Sequence, residues 1–216
     1  MKPILSETDR TLLDQRLAEV EALTRAQIVL ATVRRSDNYA EIPWKAFAFG
    51  ISIAGLVVFL LDLLIFRWIT DTMILFSVAA ILAGGALFVL MTLLLPGFAR
   101  LFLSGSRKET ETLQYAESLF LSRELFTTEG RRGILLLISQ FERQVVILPD
   151  KGLRDRLGAE VMKNIILKMA EHLRHNDVRK ALETGLDLLV SELSATAASR
   201  PENNELSNEI IERESV

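Results

Sequence analysis

Two apolar stretches decide the fold of this chain. Residues 46–66 read AFAFGISIAGLVVFLLDLLIF, with Asp62 as the one charged side chain, and residues 73–95 read MILFSVAAILAGGALFVLMTLLL, with none. An α-helix rises about 1.5 Å per residue, so each stretch is long enough to cross a hydrocarbon layer of about 30 Å. Soluble proteins seldom bury uncharged stretches of this length. We therefore predict two transmembrane helices rather than two core helices.

The segment between the two stretches predicts a tight hairpin. Residues 67–72, RWITDT, are too few for anything but an antiparallel return, so the chain comes back to the side that it left. Trp44 and Trp68 flank the first stretch, where aromatic rings favour the headgroup layer. Asp62 lies about one turn from the far end, and we favour its solvation by headgroup water or Arg67 over a functional charge.

The distribution of basic residues predicts an orientation. Residues 33–45, before the first stretch, contain three basic residues, and residues 96–108, after the second, contain three, whereas the connecting segment has one; the six are Arg34, Arg35, Lys45, Arg100, Arg107 and Lys108. The positive-inside rule then predicts a multi-pass protein of the cell membrane with both termini and the soluble domain in the cytoplasm. The start, MKPILSETDR, has no apolar signal core, so we expect an internally anchored protein rather than a secreted one.

The composition disfavours several classes of function. Among 216 residues, 25 Lys and Arg stand against 28 Asp and Glu, and there is no Cys. The nearly balanced charge leaves no basic footprint for nucleic acid, and the lack of Cys excludes disulfides, thiolate metal sites and a cysteine nucleophile. We predict the lipid bilayer and other membrane proteins as partners, with no nucleic acid and no cofactor. The sequence favours no oligomeric state.

Hydrophobic periodicity predicts an α/β domain around the hairpin. Helices are predicted from Ser6 and over residues 109–126, 153–173 and 177–193, and strands over residues 27–33, 133–139 and 144–148. Because a helix separates the first two strands, they should pair in parallel, and the third strand should add antiparallel through a short turn. The fold class is α/β, with a small mixed sheet in an α/β/α sandwich plus a two-helix transmembrane hairpin.

Domain boundaries and core residues follow from the same patterns. We predict a discontinuous α/β domain over residues 1–42 and 104–194, a hairpin over 43–103, and a disordered acidic tail over 195–216, which is polar and aperiodic. The residues predicted to be buried are Ile134, Leu136, Ile138, Val146 and Leu148 in the sheet, and Leu113, Ala116, Phe120 and Leu125 after the hairpin. Ser6 and Asp177 are expected to cap their helices.

Five segments of the soluble part resemble one family. They are residues 26–33 (AQIVLATV), 115–120 (YAESLF), 129–138 (EGRRGILLLI), 141–147 (FERQVVI) and 176–182 (NDVRKAL). In this order they are similar to the segments of the TPM-domain family. The resemblance implies an α/β/α sandwich, often beside transmembrane helices. It also implies roles that include phosphatase activity in a plant chloroplast branch and accessory-subunit roles at membrane receptors.

The chain departs from the family pattern at three places. The hairpin is inserted between the first strand and the next helix, the turn Asp of the family is Glu142, and the Gly-rich stretch after the third strand is LPDKG over residues 148–152. Because these departures fall on the loops that would carry a metal or phosphatase site, no catalytic residue is carried over from the family.

Two pairs of side chains are candidates for metal chemistry. Asp150 and Asp155 follow the third strand and two carboxylates there can hold a hard cation, but a turn residue and a helix-start residue explain them better beside Lys151, Arg154 and Arg156. His172 and His175 have the i, i+3 spacing that metals use, although a helix end favours such residues through the macrodipole.

No other pattern predicts a site. Arg131 and Arg132 can meet a phosphate or an anionic lipid, and the chain has no Gly-rich phosphate loop, HExxH or GxSxG motif. We therefore predict no catalytic, cofactor-binding or metal-ligating residue. The sequence favours a non-enzymatic interaction or accessory module of membrane components, with a metal-dependent phosphatase on the same fold as the alternative. A transporter fragment is disfavoured because two helices and one shallow Asp build no pathway.

Overall fold

The computed structural model of the chain describes residues 4–64, 71–194 and 211–213. Its elements are α1 (Glu7–Thr24), β1 (Gln27–Val33), α2 (Glu41–Leu64), α3 (Asp71–Leu94), α4 (Pro96–Ala99), α5 (Gly105–Ser122), β2 (Gly133–Ser139), β3 (Gln144–Pro149), α6 (Ala159–Arg174), α7 (Val178–Leu193) and β4 (Ile211–Arg213). Of the described residues, 4–37, 108–194 and 211–213 form one compact unit, the sheet unit, and 38–64 and 71–107 form a second, the hairpin unit.

The sheet has the mixed topology that the sequence predicts. The strand order is β3-β2-β1-β4, with β1 parallel to β2 and β3 antiparallel to β2. The register of the parallel pair runs from Gln27 opposite Gly133 to Val33 opposite Ser139. The short turn between β2 and β3 places Arg143 at φ 52°, a left-handed conformation that closes a tight connection.

The predicted disordered tail differs from the structure at its far end. Residues 211–213 form β4 and pair in parallel with Ala31–Val33, while residues 195–210 and 214–216 lie outside the described part of the chain. Pairing satisfies backbone groups along a β1 edge that would otherwise be open. A three-residue strand is too short to show the alternating pattern of a β-strand. The polar composition of the tail therefore gave no sign of β4.

Helices cover both faces of the sheet, as an α/β/α sandwich requires. On one face, α1, α6 and α7 pack over alternate strand residues that include Leu30, Ile134 and Leu136. On the other face, α5 packs over Val29, Leu135 and related residues. Every residue of β2 is buried because this strand lies between two others and beneath helices on both sides.

The prediction of which β3 residues are buried is wrong by one position along the strand. Val145 and Ile147 are the buried residues, and Val146 and Leu148 are only half-buried. The first pair faces the three-helix layer, whereas the second pair faces α5 at the edge of the sheet, where a single helix gives less cover. Continuous apolar runs do not reveal which alternate set lies under the thicker layer.

Two predicted helices begin and end elsewhere. The helix predicted over residues 109–126 runs from Gly105 to Ser122, because Glu124 takes a left-handed φ of 52° and ends it. The helix predicted from Leu153 begins only at Ala159, after Gly158 at its N-cap. Leu153 and Leu157 show helical spacing but are buried as anchors of the intervening loop. On α5, the predicted core residue Leu113 is exposed and Thr112 is buried instead.

The predicted helix caps are confirmed. The Ser6 side chain accepts from the Asp9 amide while the Asp9 carboxylate accepts from the Ser6 amide, so the two residues form a capping box. The Asp177 side chain accepts from the backbone N–H of Lys180. This hydrogen bond lowers the pKa of the Asp177 carboxyl, because it favours the charged form.

The hairpin unit contains two helices that are long and apolar enough to cross a membrane, Glu41–Leu64 and Thr72–Leu94. Their large apolar side chains are mostly exposed, among them Leu64, Leu75 and Phe76. The two helices approach closely where both have small residues. A Cβ on Gly50 would lie 2.9 Å from the Gly84 carbonyl oxygen, and one on Gly85 would lie 2.6 Å from Ile51. Small residues permit this approach, as helix packing in lipid requires.

Candidate functional site

A buried polar cluster lies at the carboxyl ends of the parallel strands. Ser36 follows β1, Ser139 ends β2, Glu142 lies in the turn before β3, and Thr112 faces them from α5. We call these four residues the polar cluster. All four are buried, and the Glu142 residue is 3% exposed. The carboxyl ends of parallel strands are where α/β sheets most often hold their sites, so this is the best-placed candidate in the sheet unit.

Hydrogen bonds connect the polar cluster into one network. The Glu142 carboxylate accepts from the Ser36 backbone N–H at 2.8 Å and from the Ser139 hydroxyl through its other oxygen. The Ser36 hydroxyl lies 3.0 Å from the Ser139 hydroxyl oxygen and 3.4 Å from that of Thr112. The Thr112 hydroxyl donates to the Lys108 carbonyl at 2.7 Å. The network joins the end of β1, the end of β2 and the start of α5.

Neighbouring backbone and aromatic contacts reinforce the same loops. The amides of Gln140 and Phe141 donate to the carbonyls of Val33 and Arg34 at 3.0 and 2.9 Å. The guanidinium of Arg35 lies 4.2 Å from the centre of the Phe141 ring, a cation–π contact. These contacts hold the segments that follow β1 and β2 against each other.

The arrangement of the polar cluster suits bracing better than catalysis. A serine beside a carboxylate is the arrangement of an activated nucleophile, but the Ser139 residue is fully buried and a substrate has no access to its oxygen. Both carboxylate oxygens of Glu142 are occupied by hydrogen-bond donors from the chain. A satisfied buried network of this kind gives a loop a single conformation.

The sequence-predicted candidate Asp150 forms an ion pair at the opposite end of the sheet. Its two oxygens lie 2.7 Å from Arg131 Nε and 3.0 Å from Arg131 Nη2, a bidentate pair, and one also accepts from the Lys151 amide. Gly152 permits this contact, because a Cβ there would lie 2.1 Å from the Gly130 carbonyl oxygen. Asp150 therefore connects the loop before β2 to the loop after β3.

The other sequence-predicted candidates remain apart. Asp155 is exposed in a turn rather than at a helix start. His172 is half-buried in the last turn of α6, and the His175 Nδ1 atom lies 3.1 Å from the Glu171 carbonyl oxygen. Within the described residues, no group of three or more His, Asp or Glu side chains is arranged to hold a metal ion.

Sequence reasoning did not find the polar cluster. Its members come from three separate segments, and three of its hydrogen bonds join residues 76 to 106 positions apart. Only Glu142 stood out in the sequence, because it replaces the turn Asp of the TPM-domain family. A buried hydroxyl leaves no periodic pattern, so only the tertiary fold brings these residues together.

Among the described residues of the sheet unit, Glu21 has a carboxyl group whose pKa is strongly shifted. Its Oε1 atom accepts from the Ile28 amide at 2.8 Å, at the amino end of β1. Burial raises the pKa of the Glu21 carboxyl from 4.5 to about 7, and the hydrogen bond from Ile28 opposes this shift. The side chain thus closes part of the β1 edge that β4 does not reach, and it titrates near neutral pH.

The titration of Glu21 predicts a pH-dependent stability. Because the folded-state pKa is the higher one, the stabilisation is fully present below pH 4.5 and is lost as the pH rises through about 7. Glu21→Gln should remove about 1–2 kcal/mol of this dependence, a figure reduced for solvent screening. Pulse proteolysis in urea, at pH values below and above 7, measures the free energy of unfolding. Glu117→Gln, at an exposed position, is the control. An unchanged pH dependence in Glu21→Gln would contradict the assignment.

The comparisons with known proteins agree with this fold. The TPM domain matches residues 101–192. The NMR structure of BA42, from the psychrophilic bacterium Bizionia argentinensis, matches with a TM-score of 0.56 at 10% identity, over 96% of this chain and 94% of that one. At this identity the similarity shows the fold alone. No protein with a curated description matches the sequence. Residues 101–192 therefore match the TPM domain, and the fold of the chain is similar to that of BA42.

Proposed function

We propose that this protein is a membrane-anchored TPM-domain protein that serves as a non-enzymatic accessory or interaction module of other membrane components. In this proposal α2 and α3 cross the cell membrane as a hairpin, and the sheet unit lies in the cytoplasm. The proposal combines a membrane anchor with a folded domain.

One observation carries the anchoring. The sheet unit buries its apolar residues in an ordinary core, whereas α2 and α3 expose most of theirs along two helices of 24 residues each. At about 1.5 Å per residue, 24 residues span about 36 Å, enough for a hydrocarbon layer of about 30 Å. An exposed apolar surface on both helices fits lipid and would be a liability in water.

The state of the buried acids supports a non-enzymatic role. Glu142 and Asp150 are the buried carboxylates among the described residues, and both are engaged by donors of the chain itself. A hydrolytic site needs a carboxylate or metal-bound water directed at substrate, and these two side chains are directed at their own loops. Each instead strengthens one end of the sheet.

The experiment that tests the anchoring combines alkaline extraction with thiol labelling. Single cysteines replace exposed Gln15, exposed Lys163 and Thr72 in the naturally Cys-free chain. The protein should remain in the membrane pellet at alkaline pH. In intact cells, a membrane-impermeant reagent should label the cysteine at position 72 and spare those at positions 15 and 163. Labelling at position 15 or 163 without permeabilisation would contradict the cytoplasmic orientation.

The accessory role needs a second measurement. Affinity purification of the full chain from mild detergent should recover other membrane proteins, and the same preparation should not hydrolyse a phosphoester with magnesium, calcium or manganese present. A variant with Leu136→Asp, which disrupts the sheet unit, is the matched control because it retains the hairpin. Metal-stimulated hydrolysis that this control loses would favour the phosphatase alternative.

A further inference from the structure

Residues 95–103, which we call the collar segment, turn back against the hairpin after α3. Leu95 leaves the helical conformation, with φ −120° and ψ 94°, and Pro96 begins the short helix α4. A 3-10 turn over Arg100–Phe102 follows and ends at Leu103. Both turns pack against α2. The chain therefore remains beside the hairpin for nine residues instead of continuing straight out of α3.

Four phenylalanine rings hold the collar segment in place. Phe98 and Phe102 of the segment lie 5.4 Å apart between ring centres, and they contact Phe88 at 5.6 Å and Phe49 at 6.0 Å. Phe49 and Phe88 contact each other at 5.9 Å, which closes the circuit. All four contacts are edge-to-face, the favoured geometry for aromatic pairs. The inner face of the segment is thus a packed contact with α2 and α3.

The outer face of the collar segment is apolar and exposed. Leu101 is 76% exposed and Leu95 is 51% exposed. Trp44, in the first turns of α2, is 74% exposed and contacts Phe47 edge-to-face. The aromatic circuit packs the inner face of the segment, which leaves Leu95 and Leu101 on its outer face. The surface lies at the amino end of α2, where a helix of about 36 Å extends beyond a hydrocarbon layer of about 30 Å.

Basic residues accompany this apolar surface. Residues 38–45 and 95–107 contain three basic residues, Lys45, Arg100 and Arg107, and one acidic residue, Glu41. Arg107 Nε lies 3.2 Å from a Glu41 oxygen, so this pair is neutral. The Lys45 ammonium donates to the Phe102 carbonyl at 3.4 Å, which holds its charge at the collar segment. A fixed apolar surface with an exposed Trp and excess positive charge matches the headgroup layer of an anionic membrane leaflet.

We propose that the collar segment, with Trp44 and Lys45, is an interfacial element that lies in the headgroup layer and recruits anionic lipid. This inference rests on the proposed membrane anchoring and names the lipid class at its cytoplasmic end. Leu101 and Trp44 enter the outer edge of the hydrocarbon, and Lys45 and Arg100 meet lipid phosphates. The segment thereby fixes the depth of this end of the hairpin in the membrane.

The test places a single fluorophore on the collar segment of the full chain. Trp44→Phe, Trp68→Phe and Leu101→Trp together leave one Trp, and the protein is reconstituted into vesicles of phosphatidylcholine and phosphatidylglycerol. Emission should be blue-shifted and quenched more by lipids brominated near the headgroup than near the chain terminus. At equal mole fraction, brominated phosphatidylglycerol should quench more than brominated phosphatidylcholine. High salt should reduce that difference, because it screens exposed charges.

A charge variant and its matched control complete the test. Lys45→Gln with Arg100→Gln should abolish the preference for the anionic quencher, and exposed Lys163→Gln with Lys168→Gln on α6 should preserve it. Equal quenching by the two lipids would overturn the recruitment of anionic lipid. Red-shifted or unquenched emission in protein that still floats with vesicles after an alkaline wash would overturn this inference alone and would indicate water or a protein partner at the collar segment. Failure to float would contradict the membrane anchoring as well.

Discussion

Leu136→Asp should unfold the sheet unit and leave the proposed membrane insertion of α2 and α3 intact. Leu136 lies in the middle of β2, beneath helices on both faces of the sheet, and is fully buried. Its Cδ1 atom lies against α7, where a Cβ on Gly185 would be 3.0 Å away. The substitution removes a packed side chain at about 2–5 kcal/mol and buries an unpaired carboxylate at several kcal/mol more. The sum reaches the whole stability of a typical domain, about 5–15 kcal/mol.

Native-state hydrogen exchange and limited proteolysis measure this loss. In the parent, the amides of β1 and β2 should exchange only by global unfolding of the sheet unit, and in Leu136→Asp they should lose nearly all protection. Leu167→Asp makes the same chemical change at a side chain that is 58% exposed on α6 and should cost less than about 1 kcal/mol. Retained protection in Leu136→Asp would mean that β2 does not occupy the centre of the sheet.

The central strands were predictable because their sequences carry a local signal. Residues 27–33 and 133–139 are apolar, rich in β-branched or aliphatic side chains and bounded by polar residues, and the structure reproduces both ranges. The two apolar helices were predictable for the same reason, since length and hydropathy are properties of a single segment. In each case the residues that indicate the structure are neighbours in the chain.

Loop structure was less predictable because buried loop residues imitate helix periodicity. Leu153 and Leu157 are four apart and apolar, which predicts a helix, yet both anchor an irregular segment that Asp150 and Gly152 connect to the loop before β2. Similarly, Thr112 rather than Leu113 turned inward on α5, because its hydroxyl completes a polar network. These choices depend on partners that are remote in sequence.

The polar cluster is the clearest case of a structure that only tertiary contacts reveal. Ser36, Thr112 and Ser139 are small and unremarkable in the sequence, and Glu142 is a single carboxylate in a turn. The fold brings them within hydrogen-bond distance because β1 and β2 pair in register and α5 covers their ends. The network joins the ends of β1 and β2 to α5, and its removal should therefore be measurable in these segments.

Glu142→Ala should destabilise the sheet unit by about 2–4 kcal/mol. The substitution leaves the buried Ser36 N–H and Ser139 O–H without their acceptor, and each such group costs about 1–3 kcal/mol. The loss should appear as faster exchange of the amides in residues 33–36 and 139–143, with smaller effects at the Arg131–Asp150 end of the sheet. Glu117→Ala, at an exposed position of α5, is the matched control and should change exchange little.

A double-mutant cycle separates the hydrogen bond from general disruption. Ser139→Ala removes the hydroxyl that donates to Glu142, so Ser139→Ala with Glu142→Ala should cost less than the sum of the two single substitutions. We expect a coupling of about 1 kcal/mol or more, because the unsatisfied hydroxyl left by Glu142→Ala is absent from the double variant. Strict additivity would show that the two side chains act independently. The polar cluster would then be a set of separate contacts, and the brace at the ends of β1 and β2 would rest on the backbone bonds from Gln140 and Phe141.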